Sequence, residues 1–310
     1  MTYAGEAKNE LARREFGNRC CQAAELTAFI RLNGNIQISQ QHFGLHVVTS
    51  SAAIARRIFL LFKKIFKLSS ELLVRRKIRL RKNNVYIIRL TETAQVLEVL
   101  TKLELLKGGT LTQSISDSIY NNKCCCRAYL RGAFLATGSV TNPESSYHLE
   151  IYTDYQAQAA DLVRLMANFD IQAKITTRKR GYLVYLKGSE QIVQFLNIIG
   201  AHGALLNFEN VRILKDMRNR VNRLVNFETA NVNKTVEASV RQLEMIRLID
   251  KEIGLEALDP PLRELARLRL QHPEASLQEL GSLLDPPLGK SGVNHRMRKL
   301  EKISLRLQKK

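Results

Sequence analysis

Acidic side chains are scarce in this sequence. Asp and Glu number 29 against 48 Lys and Arg in 310 residues, giving a formal charge of +19 and an isoelectric point near 9.9. A chain this basic is expected to meet a polyanion, because neutralising phosphates releases their condensed counterions; the plainer alternative is a basic, solvated surface. Long apolar runs are also absent. The most apolar stretch, residues 58–66, is interrupted by Lys63 and Lys64 and falls short of the ~20 residues a bilayer crossing needs. Residues 1–16 are charged and poor in apolar side chains, unlike a secretory leader. A soluble, cytoplasmic protein with no membrane partner is therefore expected. The five cysteines stand in two runs, Cys20-Cys21 and Cys124-Cys125-Cys126. The C-x-x-C spacing that converges ligands on one ion is missing, and an odd number of adjacent thiols makes no disulfide framework. Neither a metal nor a cofactor is expected, and the thiols read as small buried hydrophobes.

With 45% hydrophobic residues the chain can build ordinary cores, and its length suits two or three domains. An internal repeat organises the first two thirds. Laid at an offset of 104, residues 20–36 align without a gap on residues 124–140. Cys20/Cys124, Cys21/Cys125, Ala24/Ala128, Leu26/Leu130 and Gly34/Gly138 are identical, and Ile36/Val140 is conservative. Each copy reads as a helix ending at the shared glycine, then a hairpin (35–40 with 45–49; 139–142 with 147–152). An amphipathic helix (52–66; 155–169), a second hairpin (73–80 with 85–90; 171–177 with 182–186) and a closing helix (92–106; 190–199) follow. The second hairpins align best at an offset of 97, Lys77 on Lys174, so one copy is shorter by about seven residues. The expected fold is α+β: two αββαββα units in tandem (about 20–106 and 124–201) within a pseudo-symmetric domain, 1–211.

The stretch 129–140, YLRGAFLATGSV, resembles the LAGLIDADG helix of homing endonucleases, and residues 25–36 resemble its partner. The resemblance implies two helices packed closely at a pseudo-dyad, which small residues at Ala24, Ala28, Ala128, Gly132 and Ala136 would allow. It also implies an acidic metal ligand just before each terminal glycine. Those positions hold Asn33 and Thr137. Hard cations want carboxylate oxygens, so no catalytic residue is expected and an active nuclease is disfavoured. Charge on the hairpins points toward binding instead. Residues 56–82 carry eleven Lys and Arg against Glu71 alone. Arg75, Lys77, Arg79 and Arg81 alternate and so share one strand face. Lys174, Arg178, Lys179 and Arg180 take the matching place in the second copy. Such a face fits a phosphate backbone; a solvated sheet face is the alternative.

The last third reads as helical. Residues 212–234 form a helical or polar connector with Asn219, Asn222, Asn226, Asn231 and Asn233, and an all-α domain occupies 235–310. A helix over 235–253 carries Val236, Val240, Leu243, Ile246 and Ile249 on one stripe and stops at Gly254. Asp259-Pro260-Pro261 starts another. Ser276-Leu277-Gln278-Glu279 is a capping box, Asp285-Pro286-Pro287-Leu288-Gly289 turns the chain, and Ser291 is expected to cap a final helix with Val293, Met297, Leu300 and Ile303 inward. This is a helix-turn-helix at about 275–308. Ser291, Asn294, His295 and Arg298 are the expected base-edge contacts, and Lys290, Arg296, Lys299 and Lys302 the expected phosphate contacts. A basic surface helix in a plain bundle is the alternative.

A degenerate LAGLIDADG domain followed by a helix-turn-helix is similar to the WhiA family of Gram-positive bacteria across essentially the whole chain. The run from His272-Pro273-Glu274-Ala275-Ser276-Leu277 to Lys290-Ser291-Gly292-Val293-Asn294-His295-Arg296-Met297-Arg298-Lys299 carries the resemblance, with the paired cysteines. It implies a non-catalytic double-stranded-DNA-binding regulator, nucleoid-associated, tied to cell division and chromosome segregation, or to sporulation in relatives. Transcription machinery or another regulator would be a further partner. The sequence leaves the oligomeric state open, with a monomer as the working expectation. A residual metal-dependent nuclease and a protein-interaction adaptor with a basic platform remain as alternatives.

Overall fold

The computed structural model describes residues 2–39, 42–76 and 84–308. The chain divides into two compact units, residues 1–215 and 216–310.

The first unit contains helices α1 (Tyr3–Arg13) and α2 (Arg19–Asn33), strands β1 (Gly34–Ser39) and β2 (His42–Thr49), helix α3 (Ala52–Phe66), strands β3 (Glu71–Arg75) and β4 (Val85–Leu90), and helix α4 (Thr93–Lys102). A small hairpin, β5 (Leu106–Lys107) with β6 (Thr110–Leu111), and the short helix α5 (Asp117–Tyr120) lead into the second copy. That copy runs α6 (Lys123–Thr137), β7 (Gly138–Val140), β8 (Leu149–Thr153), α7 (Gln156–Ala167), β9 (Lys174–Arg178), β10 (Gly181–Leu186) and α8 (Ser189–Ile199). The two four-stranded sheets have the same antiparallel order, β1-β2-β4-β3 and β7-β8-β10-β9. This is the tandem repeat that the sequence predicts.

Local physics fixes the elements well where periodicity is strong. In α3 the apolar residues Ile54, Ile58, Leu61, Phe62 and Ile65 recur on one buried stripe. Ser51 caps its start by accepting from the Ile54 amide, and Lys67, left-handed at φ 59°, ends it. The buried residues of α2 and α6 face each other. Gly132 meets the Glu25 carbonyl and Ala28, so the two backbones approach as closely as glycine allows.

Three features differ from the expected pattern. Helix α1 was not anticipated; Ala7 and Leu11 anchor it fully buried in the core, and Tyr3, Ala4 and Ala12 pack against that core partly buried. The shorter second copy loses its residues in the hairpin turn, not upstream. Nine residues (76–84) separate β3 from β4, whereas Lys179 and Arg180 alone separate β9 from β10. Pairing of Glu71 with Arg89 and of Lys174 with Tyr185 then makes Glu71, not Lys77, the structural counterpart of Lys174. Helix α9 (His202–Ile253) starts far earlier than the helix expected at 235, and the asparagine-rich stretch lies inside it.

In the second unit, the later part of α9 packs with α10 (Pro260–Gln271), α11 (Leu277–Ser282) and α12 (Lys290–Leu307). The core is Ile246, Ile249, Leu258, Leu262, Leu265, Leu280, Leu284, Val293, Met297 and Leu300. Val236 and Val240, expected on the buried stripe, are exposed, and burial of α9 in this unit begins at Ser239. Among the described residues no helix is long and apolar enough to cross a membrane.

Candidate nucleic-acid interface

The second unit positions its basic helix with three devices. The first is the capping box of α11: the Glu279 amide donates to Ser276 Oγ at 3.3 Å, and the Ser276 amide donates to Glu279 Oε2 at 2.7 Å. Two otherwise unpaired amides are thereby satisfied, and the backbone donor holds the Glu279 carboxyl below its ordinary pKa. The second is Arg269, 2% exposed. Its Nη1 donates to the carbonyls of Ala275 (2.5 Å), Pro273 (3.3 Å) and His272 (3.4 Å). The Ser239 hydroxyl donates to the same Pro273 carbonyl. Burial lowers the guanidinium's pKa, yet the loop entering α11 supplies it with carbonyl oxygens. The sequence reading passed over Arg269; its signal was a lone cation on the apolar stripe Leu262, Leu265, Ala266. The third is Gly281, whose carbonyl accepts from the Leu288 amide at 2.9 Å. A Cβ there would lie 2.0 Å from the Leu288 carbonyl oxygen, so the turn folds back over α11 only because this residue is glycine.

Helix α12 then lies with Val293, Met297 and Leu300 buried and Ile303 half-buried. Gly289 occupies the N-cap, so Ser291 sits within the first turn instead of capping it. Lys290, Ser291, Asn294, His295, Arg298, Lys299 and Lys302 are exposed, as expected for a reading face. Arg296 is the exception: it is half-buried and its Nη1 donates to the Pro261 carbonyl at 3.3 Å. That bond turns the side chain toward α10. Ser291, His295 and Lys299 rise at four-residue spacing along a shallow cleft shared with Asp259 and Pro261. Asn294 and Arg298 flank a second groove beside Arg241 and Met245 of α9.

On the outward sheet faces of the first unit the described strands mix cations with acids. In the first sheet Asn35, His46, Arg89 and Glu71 stand in one cross-strand row, and Arg89 Nη2 is 2.7 Å from Glu71 Oε2. In the second, Ser139, Glu150, Tyr185 and Lys174 form the equivalent row, and Arg178 Nη1 is 3.7 Å from Glu150 Oε1. Arg75 is exposed at the end of β3 on the same outward face as Glu71. Burial, then the neighbouring guanidiniums of Arg89 and Arg75, lower the His46 pKa. Arg178 closes β9, and Lys179, at φ 32°, and Arg180 form its turn. Lys77, Arg79 and Arg81 lie outside the described residues.

The helix ends that hold acids in LAGLIDADG nucleases are occupied by amide and hydroxyl side chains with structural partners. Asn33 Nδ2 donates to the Ala136 carbonyl at 3.1 Å across the helix pair. Thr137 Oγ1 donates to the Tyr152 carbonyl at 2.7 Å. Behind them lies an ion network that the sequence reading missed. Glu25, 1% exposed, receives both Nε and Nη2 of Arg57, the latter at 3.0 Å, and Arg131 Nε at 3.1 Å. Arg57 Nη1 continues to the Arg14 carbonyl at 2.6 Å. Charges this deep persist only when paired, and this set ties α2, α3 and α6 together.

At the other end of the helix pair the thiols of Cys20, Cys21, Cys124 and Cys125 gather, every Sγ within 4.8 Å of the others. Spacing within each run gave no hint of this; tertiary contact between the two copies produces it. Cys20 and Cys124 are exposed and Cys21 and Cys125 buried, so only part of the cluster is simple core filling. Burial pushes the Cys21 thiol up to about 12 and raises Cys125 too, whereas a hydrogen bond from Cys21 lowers Cys124.

A tandem LAGLIDADG-like scaffold carrying a helix-turn-helix unit is the class these features define. Three family matches agree with it: the WhiA N-terminal LAGLIDADG-like domain over residues 19–106, the WhiA LAGLIDADG-like domain over 126–218 and the WhiA C-terminal HTH domain over 221–304. The chain belongs to the WhiA family. It is 54% identical to a probable cell division protein WhiA of Desulforamulus reducens over 99% of this chain and 97% of that protein. A protein of the same name from Desulfitobacterium hafniense is 52% identical, with coverage of 99% and 97%. The crystal structure of full-length DUF199/WhiA from Thermatoga maritima superposes with a TM-score of 0.61 at 29% identity, covering 99% of each chain.

Proposed function

We propose that this chain is a non-catalytic regulator that binds double-stranded DNA through α12 and acts in cell division, by control of transcription. One observation carries the reading: α12 is docked by three separate devices (the capping box, Arg269 and Gly281), yet its outward residues Lys290, Ser291, Asn294, His295, Arg298, Lys299 and Lys302 are left exposed. A helix of this width fits a major groove, where exposed arginines and asparagines read base edges and lysines hold phosphates. Arg296, bonded to Pro261, is reassigned from phosphate contact to helix placement. Arg75 and the turn Arg178-Lys179-Arg180 provide a secondary, weaker phosphate-binding surface. Asn33 and Thr137 leave the helix ends without the carboxylates a catalytic cation requires, which supports a binding role for the scaffold. The names of the relatives support the link to cell division, and a cytoplasmic, nucleoid-associated location follows from it.

The test is binding of the full chain to genomic DNA fragments across a salt series, with Arg298→Ala/Lys299→Ala beside the wild type. The wild type should bind with a steep salt slope. The double variant should lose sequence preference, from Arg298, and flatten the slope by about one phosphate contact, from Lys299. Equal binding by both proteins would remove α12 as the reader and move attention to the sheet faces.

A further inference from the structure

We propose that Cys20, Cys21, Cys124 and Cys125 form a tetrathiolate site for a thiophilic divalent metal, with zinc as its occupant. The four residues take the second and third positions of α2 and of α6, equivalent places in the two copies. Because the helices lie side by side in the same direction, equivalent positions meet. A tetrahedral zinc with Zn–S bonds of about 2.3 Å needs sulfurs about 3.8 Å apart. Cys124 and Cys125 Sγ are already 3.9 Å apart, and all four sulfurs fall within 4.8 Å. The widest separation in the set exceeds the tetrahedral value by about 1 Å.

The surroundings favour the anionic complex that results. Four thiolates and a divalent ion carry a net double negative charge. Two helix N-termini point their partial positive ends at it, the position that most readily stabilises a thiolate. Arg14 and Arg127, with Glu15 beside them, line the cleft that opens onto Cys21 and Cys124, supplying guanidinium cations and a route to solvent. The bound ion replaces the thiol protons, which leave to solvent, so affinity rises with pH. Cys126 is outside the set: its thiol donates to the carbonyls of Ile119 and Tyr120, each at 3.2 Å. The site clamps the N-terminal ends of α2 and α6, and its existence does not depend on whether α12 reads DNA.

The full chain, purified reduced and without chelator, should contain about one equivalent of zinc by elemental mass spectrometry. Chelation followed by cobalt(II) should give thiolate charge-transfer and tetrahedral ligand-field bands. Cys124→Ser should weaken zinc binding at least tenfold, and Cys126→Ser should leave it unchanged, with circular dichroism confirming both folds. Ferrous iron at the same stoichiometry, seen by its own thiolate bands, supports the site and changes its occupant. Reduced wild type that takes up neither zinc nor cobalt, or a native chain whose mass shows these thiols paired as disulfides, overturns the proposal. So does a Cys126→Ser variant that loses metal as completely as Cys124→Ser.

Discussion

Gly132 of α6 rests against the backbone of Glu25 in α2 so closely that a Cβ would stand 2.6 Å from the Glu25 carbonyl oxygen and 2.9 Å from Ala28 Cβ. Glycine here sacrifices helix propensity of about 1 kcal/mol relative to alanine. Overpacking against a backbone atom costs about 1–3 kcal/mol. Gly132→Ala should therefore destabilise the protein, by up to about 2 kcal/mol net, read as a lower denaturation midpoint at unchanged slope. A raised midpoint would mean that the helices separate at no cost.

Glu25 holds two guanidiniums in the interior. Glu25→Ala leaves Arg57 and Arg131 buried without a counter-charge, and removing one member of such a set costs about 3–5 kcal/mol. Glu25→Gln, which keeps an acceptor oxygen, should lose less. Urea denaturation of both variants checks the order, and equal losses would show that charge alone, with no help from the retained shape and acceptor, holds the network.

Arg269 and Gly281 should control the helix-turn-helix without touching its outward face. Gly281→Ala drives a methyl into the Leu288 carbonyl, and a loss of at least about 2 kcal/mol is expected. Arg269→Met frees three carbonyls of residues 272–275. Hydrogen exchange should quicken in 259–307 in both variants while the sheets of residues 34–186 stay protected. Unchanged exchange in α11 and α12 would refute the positioning roles.

His46 gives a pH-dependent readout of the first sheet. Its folded pKa is lowered, so the folded state prefers the neutral ring. The contribution to stability is complete above the unfolded value of ~6.5 and is lost progressively as pH falls below it. Arg89→Gln removes one of the guanidiniums responsible and should move the NMR titration of His46 upward. A DNA phosphate docked on this face would also raise it. A midpoint that ignores both the substitution and added duplex would exclude the sheet row as an electrostatic unit.

The sequence made legible whatever depends on short-range periodicity. Helix α3 matches residues 52–66, and both hairpin orders and the box at Ser276 follow from alternation and capping chemistry. Relationships set by tertiary contact escaped it. Helix α1 carries only a weak stripe, Tyr3, Ala4, Ala7 and Leu11, half of it alanine and interspersed with charges, and these residues find their partners only in the assembled core. Ser291 read as a cap from its residue type, but Gly289 has the extended backbone that begins the helix. The cysteine cluster was half visible: the alignment already set Cys20 on Cys124 and Cys21 on Cys125, and copies that meet along equivalent helices bring such pairs face to face.

The repeat alignment also shows where the two halves stopped resembling each other. At the offset of 104, the counterparts of Glu25, Arg57 and Arg131 are Tyr129, Asp161 and Thr27. The ion network therefore exists on one side of the seam only, and Tyr129 lies buried on the other. Neither half repeats the other's contribution: a pair of first halves would lack Arg131, and a pair of second halves would lack Glu25 and carry Asp161 where Arg57 stands. The two copies are thus complementary parts and not interchangeable ones, and their fusion in a single chain ensures that each meets the other.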